Sequence, residues 1–358
     1  MSPPRRIYLD HAATTPILPA AKAAMVEAME RWANPSSPHA EGRAARAALE
    51  DARERIKRAL GWTGELIFTS GATEAIQIAL KGRGAQTTAV STVEHDAVLR
   101  HAEGFQHIPV APDGLLNMDH MFDPREPTAF IAVQSANNET GVLQPLVEIA
   151  AAINEAKAAR DVLLLADCAQ SAGKLPLPDA DMIAVSAHKL GGPPGIGALL
   201  VRDLSRLRAD GGQERGYRGG TQNLPGILGF AAALEAREDW LGRAAELRTR
   251  LEQRLERAGA QVVAKGSPRI PTIGAYRMPG VSSQAQLIHF DLAGIAVSAG
   301  SACSSGSMKT SHVLQAMGWS DAQAREVVRI SFGPQTNADE VAAAAAAWEQ
   351  LADRKRAA

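Results

Sequence analysis

Asp161-Val162-Leu163-Leu164-Leu165-Ala166-Asp167 is an unbroken apolar run bounded by carboxylates. It is too short for an ordinary helix and apolar at every interior position, so it reads as a strand buried on both faces. The same texture recurs on either side. Leu66 to Thr69, Thr88 to Ser91, Ala129 to Val133, Met182 to Val185 and Ala198 to Val201 are further strand candidates. Helical patterns lie between them, over Ala72 to Leu80 and Leu146 to Ala159. Continuous apolar strands alternating with helices specify an α/β fold, a mostly parallel sheet flanked by helices on both faces.

The texture changes after about residue 222. Ala231 to Arg257 is rich in Ala, Leu, Glu and Arg and reads as one long helix. Beyond Gly259 the pattern is mixed, with strands expected near 261–264, 272–276 and 327–332 and helices near 283–292, 312–317 and 338–354. This is the pattern of a smaller α+β domain. At 358 residues the chain has room for one large and one small domain.

Composition removes several classes of function. Lys and Arg number 38 against 39 Asp and Glu, a net charge of −1, where a dedicated nucleic-acid binder carries a basic excess. Aromatics are 4%, too few for the stacking platforms that hold single strands. There are two cysteines, Cys168 and Cys303, and no CxxC pair, so a disulfide framework and a cysteine-only metal centre are both excluded and no metal site is expected. The N-terminal Met-Ser-Pro-Pro-Arg-Arg is not followed by an apolar h-region, and no apolar run approaches the ~20 residues of a membrane span. The expected setting is cytoplasmic, without membrane or nucleic-acid partners.

Polar residues gather at the C-terminal ends of the expected strands, where open α/β sheets bind ligands. Ser70-Gly71-Ala72-Thr73-Glu74 joins a strand to a helix; its small residues and free N–H groups suit a phosphate, although a plain N-cap turn explains Ser70 or Thr73 as well. Asp167 closes the most apolar strand, where a carboxylate is costly without a cationic partner. A protonated heterocyclic nitrogen is one such partner; a capping role for the next segment is the other reading. Lys189 follows another strand inside Ser186-Ala187-His188-Lys189-Leu190-Gly191-Gly192-Pro193-Pro194-Gly195. Loss of hydration there lowers an amine's pKa, which Schiff-base chemistry requires. Cys303 sits in Ser298 to Ser307, a stretch of Gly, Ala and Ser with nothing to pack a core; this reads as a mobile loop exposing a thiol. Cys168, beside a strand end, reads as a small buried filler.

Together these segments resemble the pyridoxal-phosphate cysteine desulfurases of the NifS/IscS type, within the class V aminotransferase superfamily of fold-type I. The likeness begins at Tyr8-Leu9-Asp10-His11-Ala12-Ala13-Thr14-Thr15-Pro16 and continues in family order. Asn34 to His39, Phe68 to Glu74, Val93 to Val98, Asn137-Asn138-Glu139-Thr140-Gly141 and Asp167 to Lys174 come next. Ser186 to Gly197, Gly211 to Asn223, Ser298 to Ser307 and Val328 to Gly333 complete it. Single motifs arise by chance; ten in order do not. The chain departs from the family at His11, where most relatives carry Asn, and at Lys309-Thr310, where Glu-Pro is usual. It ends soon after Trp348, so a C-terminal extension for docking an iron–sulfur scaffold is expected to be missing.

The resemblance implies pyridoxal 5'-phosphate as cofactor and assigns roles to residues of this chain. Lys189 is the Schiff-base lysine and proton shuttle. Asp167 pairs with the pyridinium nitrogen, Gln170 bonds the phenolic oxygen, and His95 stacks on the ring and serves as an acid or base. Ala72, Thr73, Ser186 and His188 hold the phosphate. Thr221 reaches the phosphate of a neighbouring subunit, which implies a homodimer. Arg329, helped by Asn138, clamps the substrate carboxylate. Cys303 is the nucleophile that takes sulfur from L-cysteine as a persulfide, releasing L-alanine, for a protein acceptor or scaffold in an iron–sulfur cluster or thiolation pathway. Residues 13–240 are expected to form the large cofactor-binding domain, and 1–12 with 241–358 the small domain carrying the cysteine loop. Other readings are a selenocysteine lyase or an aminotransferase of the same superfamily, neither of which needs Cys303, and a non-catalytic homologue, which needs neither Lys189 nor Asp167.

Overall fold

The computed structural model describes residues 6–30, 32–82, 88–122, 130–157, 161–300 and 310–357. The chain opens with a two-residue strand, β1 (Ile7–Tyr8), and two helices, α1 (Pro19–Glu30) and α2 (Ala40–Leu60). Helix α2 begins where the Gly42 N–H donates to the His39 side chain and ends at Gly61, whose φ of 68° closes the last turn. Its inward stripe is Ala45, Leu49, Ala52, Ile56 and Leu60.

Seven strands then build one sheet. They are β2 (Glu65–Thr69), β3 (Thr88–Ser91), β4 (Gln106–Ile108), β5 (Phe130–Gln134), β6 (Leu163–Asp167), β7 (Met182–Ser186) and β8 (Gly197–Val201). Their order is β2-β8-β7-β6-β5-β3-β4. Only β8 runs against its neighbours; β7, β6, β5, β3 and β4 pair in parallel. Because β8 is antiparallel to both β2 and β7, β2 points the same way as β7. The C-terminal ends of β2, β3, β5, β6 and β7 therefore emerge on one edge. Helices α3 (Ala72–Gly82), α4 (Asp96–Leu99) and α5 (Leu146–Ala156) lie between these strands in the chain.

Successive strand residues enter different cores, as a sheet buried on both faces requires. Leu164 and Ala166 face the core shared with α2 and α5, while Leu163 and Leu165 face the core shared with α3. Phe68 and Ile67 divide in the same way.

The remainder is α6 (Leu224–Glu235), α7 (Leu241–Arg257), β9 (Gln261–Val262), β10 (Ile273–Arg277), α8 (Ser283–Leu292), β11 (Ile295–Ala296), α9 (His312–Ala316), α10 (Asp321–Ala324), β12 (Val327–Ser331) and α11 (Ala338–Ala357). Strands β12, β10 and β9 form an antiparallel sheet, and β1 pairs with β11. A separate apolar core joins Leu9 to Leu247, Leu251, Tyr276, Phe290 and Trp348.

Two expectations need correction. The single helix over Ala231 to Arg257 is two helices, broken between Glu235 and Leu241. Phe230 and Leu234 on α6 belong to the large-sheet core, whereas Leu247, Leu251 and Leu255 on α7 belong to the core around Trp348. One straight helix could not serve both, so the chain turns at Ala236–Trp240. The strand near 261–264 stops at Val262, because Ala264 turns the backbone with a φ of 51°. Among the described residues, no helix is long and apolar enough to cross a membrane.

Candidate active site

The shared edge of β2, β3, β5, β6 and β7 opens into a cavity of about 1030 Å³. Ala72 and Thr73 line it from the first turn of α3, where backbone N–H groups lack helical partners. The preceding Ser70–Gly71 turn lies against β8. A Cβ on Gly197 would stand 2.7 Å from the Gly71 Cα, so glycine is what allows that approach. Ser70 N donates to the Glu74 carboxylate, which fixes the turn. Ser186 and His188 face the same space from the end of β7. His188 Nδ1 lies 3.2 Å from Thr14 Oγ1, and desolvation, then the charge of Lys189, push its pKa down to about 4.

Lys189 follows within the single turn Ala187–Lys189. Desolvation lowers its pKa from 10.5 to about 8, against the pull of Asp167 and with the push of Arg329. Asp167 ends β6, and its Oδ1 accepts the Ala169 N–H at 2.8 Å. Gln170 donates Nε2 to the Ala12 carbonyl at 2.9 Å, while its buried Oε1 has no partner among the described residues. Lys174 Nζ donates to the Gln170 carbonyl at 3.0 Å; desolvation, then the charge of Lys189, lower its pKa to about 7.

His95 caps the short helix α4. Its Nδ1 accepts the Ala97 N–H at 3.1 Å, so the neutral ring carries its proton on Nε2. Desolvation lowers its pKa, and the charge of Lys189 adds to the effect. The preceding Glu94 is fully buried. Its Oε1 accepts the Gln134 N–H at 2.8 Å, its Oε2 has no partner among the described residues, and burial raises its pKa well above the carboxylate range. His312 enters from α9, with Nε2 donating to the Glu94 carbonyl at 3.0 Å.

Arg329 lies on β12 and is 5% exposed. Nη1 donates to the Asn138 carbonyl at 2.8 Å and Nη2 to Asp10 Oδ1 at 2.7 Å, while Nε has no partner among the described residues. Asn138 lines the cavity and orients Arg329 through its main chain. Its neighbour Glu139 is buried, with Oε2 2.5 Å from Ser311 Oγ. Burial raises the Glu139 pKa, although Ser311 opposes the shift.

Ten of the expected site residues therefore meet in one cavity: Ala72, Thr73, His95, Asn138, Asp167, Gln170, Ser186, His188, Lys189 and Arg329. Thr221 does not join them; it is exposed and outside the lining of its own chain's cavity. Cys303 lies outside the described residues, and the residues flanking that segment, Gly300 and Thr310, both line the cavity. Cys168 is fully buried, and its thiol is pushed up to about 12 by burial. Sequence reasoning did not single out Asp10, Glu94, Glu139, Lys174 or His312. All but His312 fall inside motifs quoted above, yet only their partners in space mark them.

The residues fit pyridoxal 5'-phosphate. The site offers a lysine of lowered pKa, a carboxylate and an unpartnered buried amide oxygen at strand ends, and helical N–H groups at the start of α3. These match an aldehyde, a heterocyclic nitrogen, a hydroxyl and a phosphate.

Residues 7–343 match the aminotransferase class-V family. A cysteine desulfurase of Enterobacter agglomerans is 38% identical, over 94% of this chain and 90% of its own. Cysteine desulfurase IscS of Dictyoglomus turgidum is 34% identical, over 94% and 92%. A NifS-like protein of Rickettsia africae superposes with a TM-score of 0.87 at 30% identity, over 98% of this chain and all of that one. The chain belongs to the aminotransferase class-V family and, within it, to the cysteine desulfurases.

Proposed function

We propose that this cavity binds pyridoxal 5'-phosphate and L-cysteine, releases L-alanine, and passes the sulfur to Cys303 as a persulfide for a protein acceptor. The observation that carries the reading is the convergence of Lys189, Asp167, Gln170 and Arg329 on one cavity whose lining includes both flanks of the Cys303 segment, Gly300 and Thr310. When bound, the cofactor supplies an electron sink that lets a proton leave the substrate α-carbon.

The chain's own residues do the rest. Lys189 holds the cofactor and, with a pKa near 8, has a neutral amine available to take that proton. Asp167 holds the ring nitrogen protonated, and Gln170 meets the ring hydroxyl. The start of α3, with Ser186 and His188, receives the phosphate, and Thr221 of a second copy completes that seat in a homodimer. Arg329, anchored by Asp10 and Asn138, takes the substrate carboxylate. His95, with its proton on Nε2, is placed to donate to the substrate or the ring. The Cys303 thiolate attacks the substrate sulfur. The carbon–sulfur bond breaks, a sulfur–sulfur bond forms, and the carbon takes a proton, so one thiol and one cysteine become one persulfide and one alanine. Residues 13–240 form the cofactor-binding unit, and 1–12 with 241–358 the smaller one, a division supported by the separate apolar core that joins Leu9 to Trp348.

The test is a paired assay on the purified protein with L-cysteine. Alanine and reductant-released sulfide should appear in equal amounts, with a one-sulfur adduct on Cys303 by mass. Cys303→Ala should keep the yellow cofactor and lose sulfide release. Sulfide release by that variant at the wild-type rate would remove Cys303 from the reaction.

A further inference from the structure

The loop Gly211–Gln222 carries a backbone that ordinary loops avoid. Three successive residues are left-handed: Glu214 (φ 48°), Arg215 (φ 59°) and Gly216 (φ 93°). Glycine takes this conformation freely; glutamate and arginine do not, and such strain persists where surrounding bonds impose it. The Glu214 side chain supplies those bonds. Its carboxylate is buried, and Oε2 accepts from Arg53 Nη1 at 2.7 Å and from the Phe68 N–H at 2.9 Å. Oε1 accepts from Arg53 Nη2 at 3.2 Å and from Gln222 Nε2 at 3.0 Å. Burial works to raise its pKa, but the bonds and charge of Arg53 outweigh that and keep it ionised.

Arg53 is itself buried on α2. It donates to the Leu66 carbonyl at 2.6 Å, and its guanidinium lies 4.6 Å from the Phe68 ring centroid. The loop is thus fastened to β2, the strand that leads into Ser70–Ala72. A second tie runs from Arg218 Nε to Glu74 Oε1 at 3.0 Å, in the first turn of α3. Both ties fix the loop to the junction that carries Ala72 and Thr73. Yet its tip, Gly219-Gly220-Thr221, is exposed and adds nothing to its own cavity. A buried ion pair and a strained backbone anchor a tip that, among the described residues, lines no part of its own subunit's cavity.

We propose that Glu214, held by Arg53, is a positioning residue that sets Thr221 for the cofactor phosphate bound in a second copy of this chain. The proposal rests on the reading of Thr221 given above. The link is direct: Glu214 bonds the side chain of Gln222, the residue next to Thr221. The same frame thereby registers two of the phosphate contacts the chain offers, α3 to its own site and Thr221 to its partner's.

The test compares binding of pyridoxal 5'-phosphate with binding of pyridoxal, which lacks the phosphate, followed by the absorption band of the cofactor on Lys189. Glu214→Gln and Thr221→Ala should each weaken pyridoxal 5'-phosphate about tenfold, the loss of one charge-assisted hydrogen bond, and leave pyridoxal unchanged. Gln222→Leu cuts the link beside Thr221, together with the longer 3.4 Å bond from Gln222 Nε2 to Gln213 Oε1, spares the buried ion pair, and should weaken the phosphate form in the same direction. In mixed dimers whose other copy carries Lys189→Ala, the loss should appear when Glu214→Gln sits on the copy without the lysine. Equal weakening of both ligands, or a loss confined to the copy that carries Glu214→Gln, overturns the proposal. Weakening by Thr221→Ala with full affinity in Glu214→Gln overturns the proposal alone. Full affinity in Thr221→Ala removes the Thr221 reading and the proposal with it.

Discussion

Arg329 Nη2 lies 2.7 Å from Asp10 Oδ1, joining residues 319 positions apart. Asp10 follows β1, Arg329 sits on β12, and the Asn138 carbonyl that takes Nη1 follows β5. The guanidinium is thus aimed by segments from distant parts of the chain before any substrate arrives. Removing the Asp10 charge should loosen that aim without emptying the site. Asp10→Asn should raise KM for L-cysteine and lower kcat/KM about tenfold, as expected for one charge-assisted hydrogen bond. The cofactor band should not change. Steady-state kinetics with L-cysteine check this; an unchanged KM would separate Asp10 from substrate binding.

Lys189 offers a prediction in pH. Its amine is pulled from 10.5 to about 8, chiefly by desolvation. Only the neutral amine attacks an aldehyde. The rate at which cofactor-free protein takes up pyridoxal 5'-phosphate should therefore rise with pH and level off above about 8. Absorbance-monitored reconstitution between pH 6 and pH 10.5 gives the profile. A rate still climbing toward an ordinary lysine pKa would show that the cavity does not desolvate Lys189.

Much of this site was legible in the residue order. Asp167, Lys189 and Ser186 stand at the ends of apolar runs, and a strand end is where an α/β sheet exposes a side chain to ligand. The long helix α2 was much less visible, because its inward stripe includes Ala45 and Ala52, which contrast weakly with a polar face. The break between α6 and α7 was hidden for a related reason. Ala, Leu, Glu and Arg continue through it, and only the allocation of Phe230 and Leu251 to different cores requires the turn. Asp10 and Glu139 could be quoted as motif residues, but their partners, Arg329 and Ser311, come from distant segments that no local pattern connects.

Glu94 should make the protein less stable as pH rises. In the folded state burial raises its pKa well above the ordinary 4.5, so between 4.5 and that raised value the folded protein binds more protons than the unfolded chain. Stability from this group is therefore present below 4.5 and lost upward through the folded pKa. Glu94→Gln keeps an oxygen for the Gln134 N–H and removes the titration. Any fixed cost of the new amide is the same at every pH. The stability difference, variant minus wild type, should thus grow with pH by up to about 1.4 kcal/mol per unit. Urea unfolding at several pH values measures it; a difference independent of pH would mean that Glu94 titrates normally.

Gly197 links packing to the cofactor seat. A Cβ there would stand 2.4 Å from the Val185 carbonyl oxygen and 2.7 Å from the Gly71 Cα, both backbone atoms that cannot swing aside. Gly197→Ala must push β8 away from β7, push the Ser70–Ala72 turn outward, or both. Forced shifts in a close-packed core cost about 1–3 kcal/mol. The turn also sets the first N–H groups of α3, so cofactor affinity should fall along with stability. The two effects separate by ligand: if the turn moves, pyridoxal 5'-phosphate should weaken more than pyridoxal. Parallel losses for both ligands, with the unfolding midpoint lowered, would place the displacement in the β7–β8 pair and leave the phosphate end of the site intact.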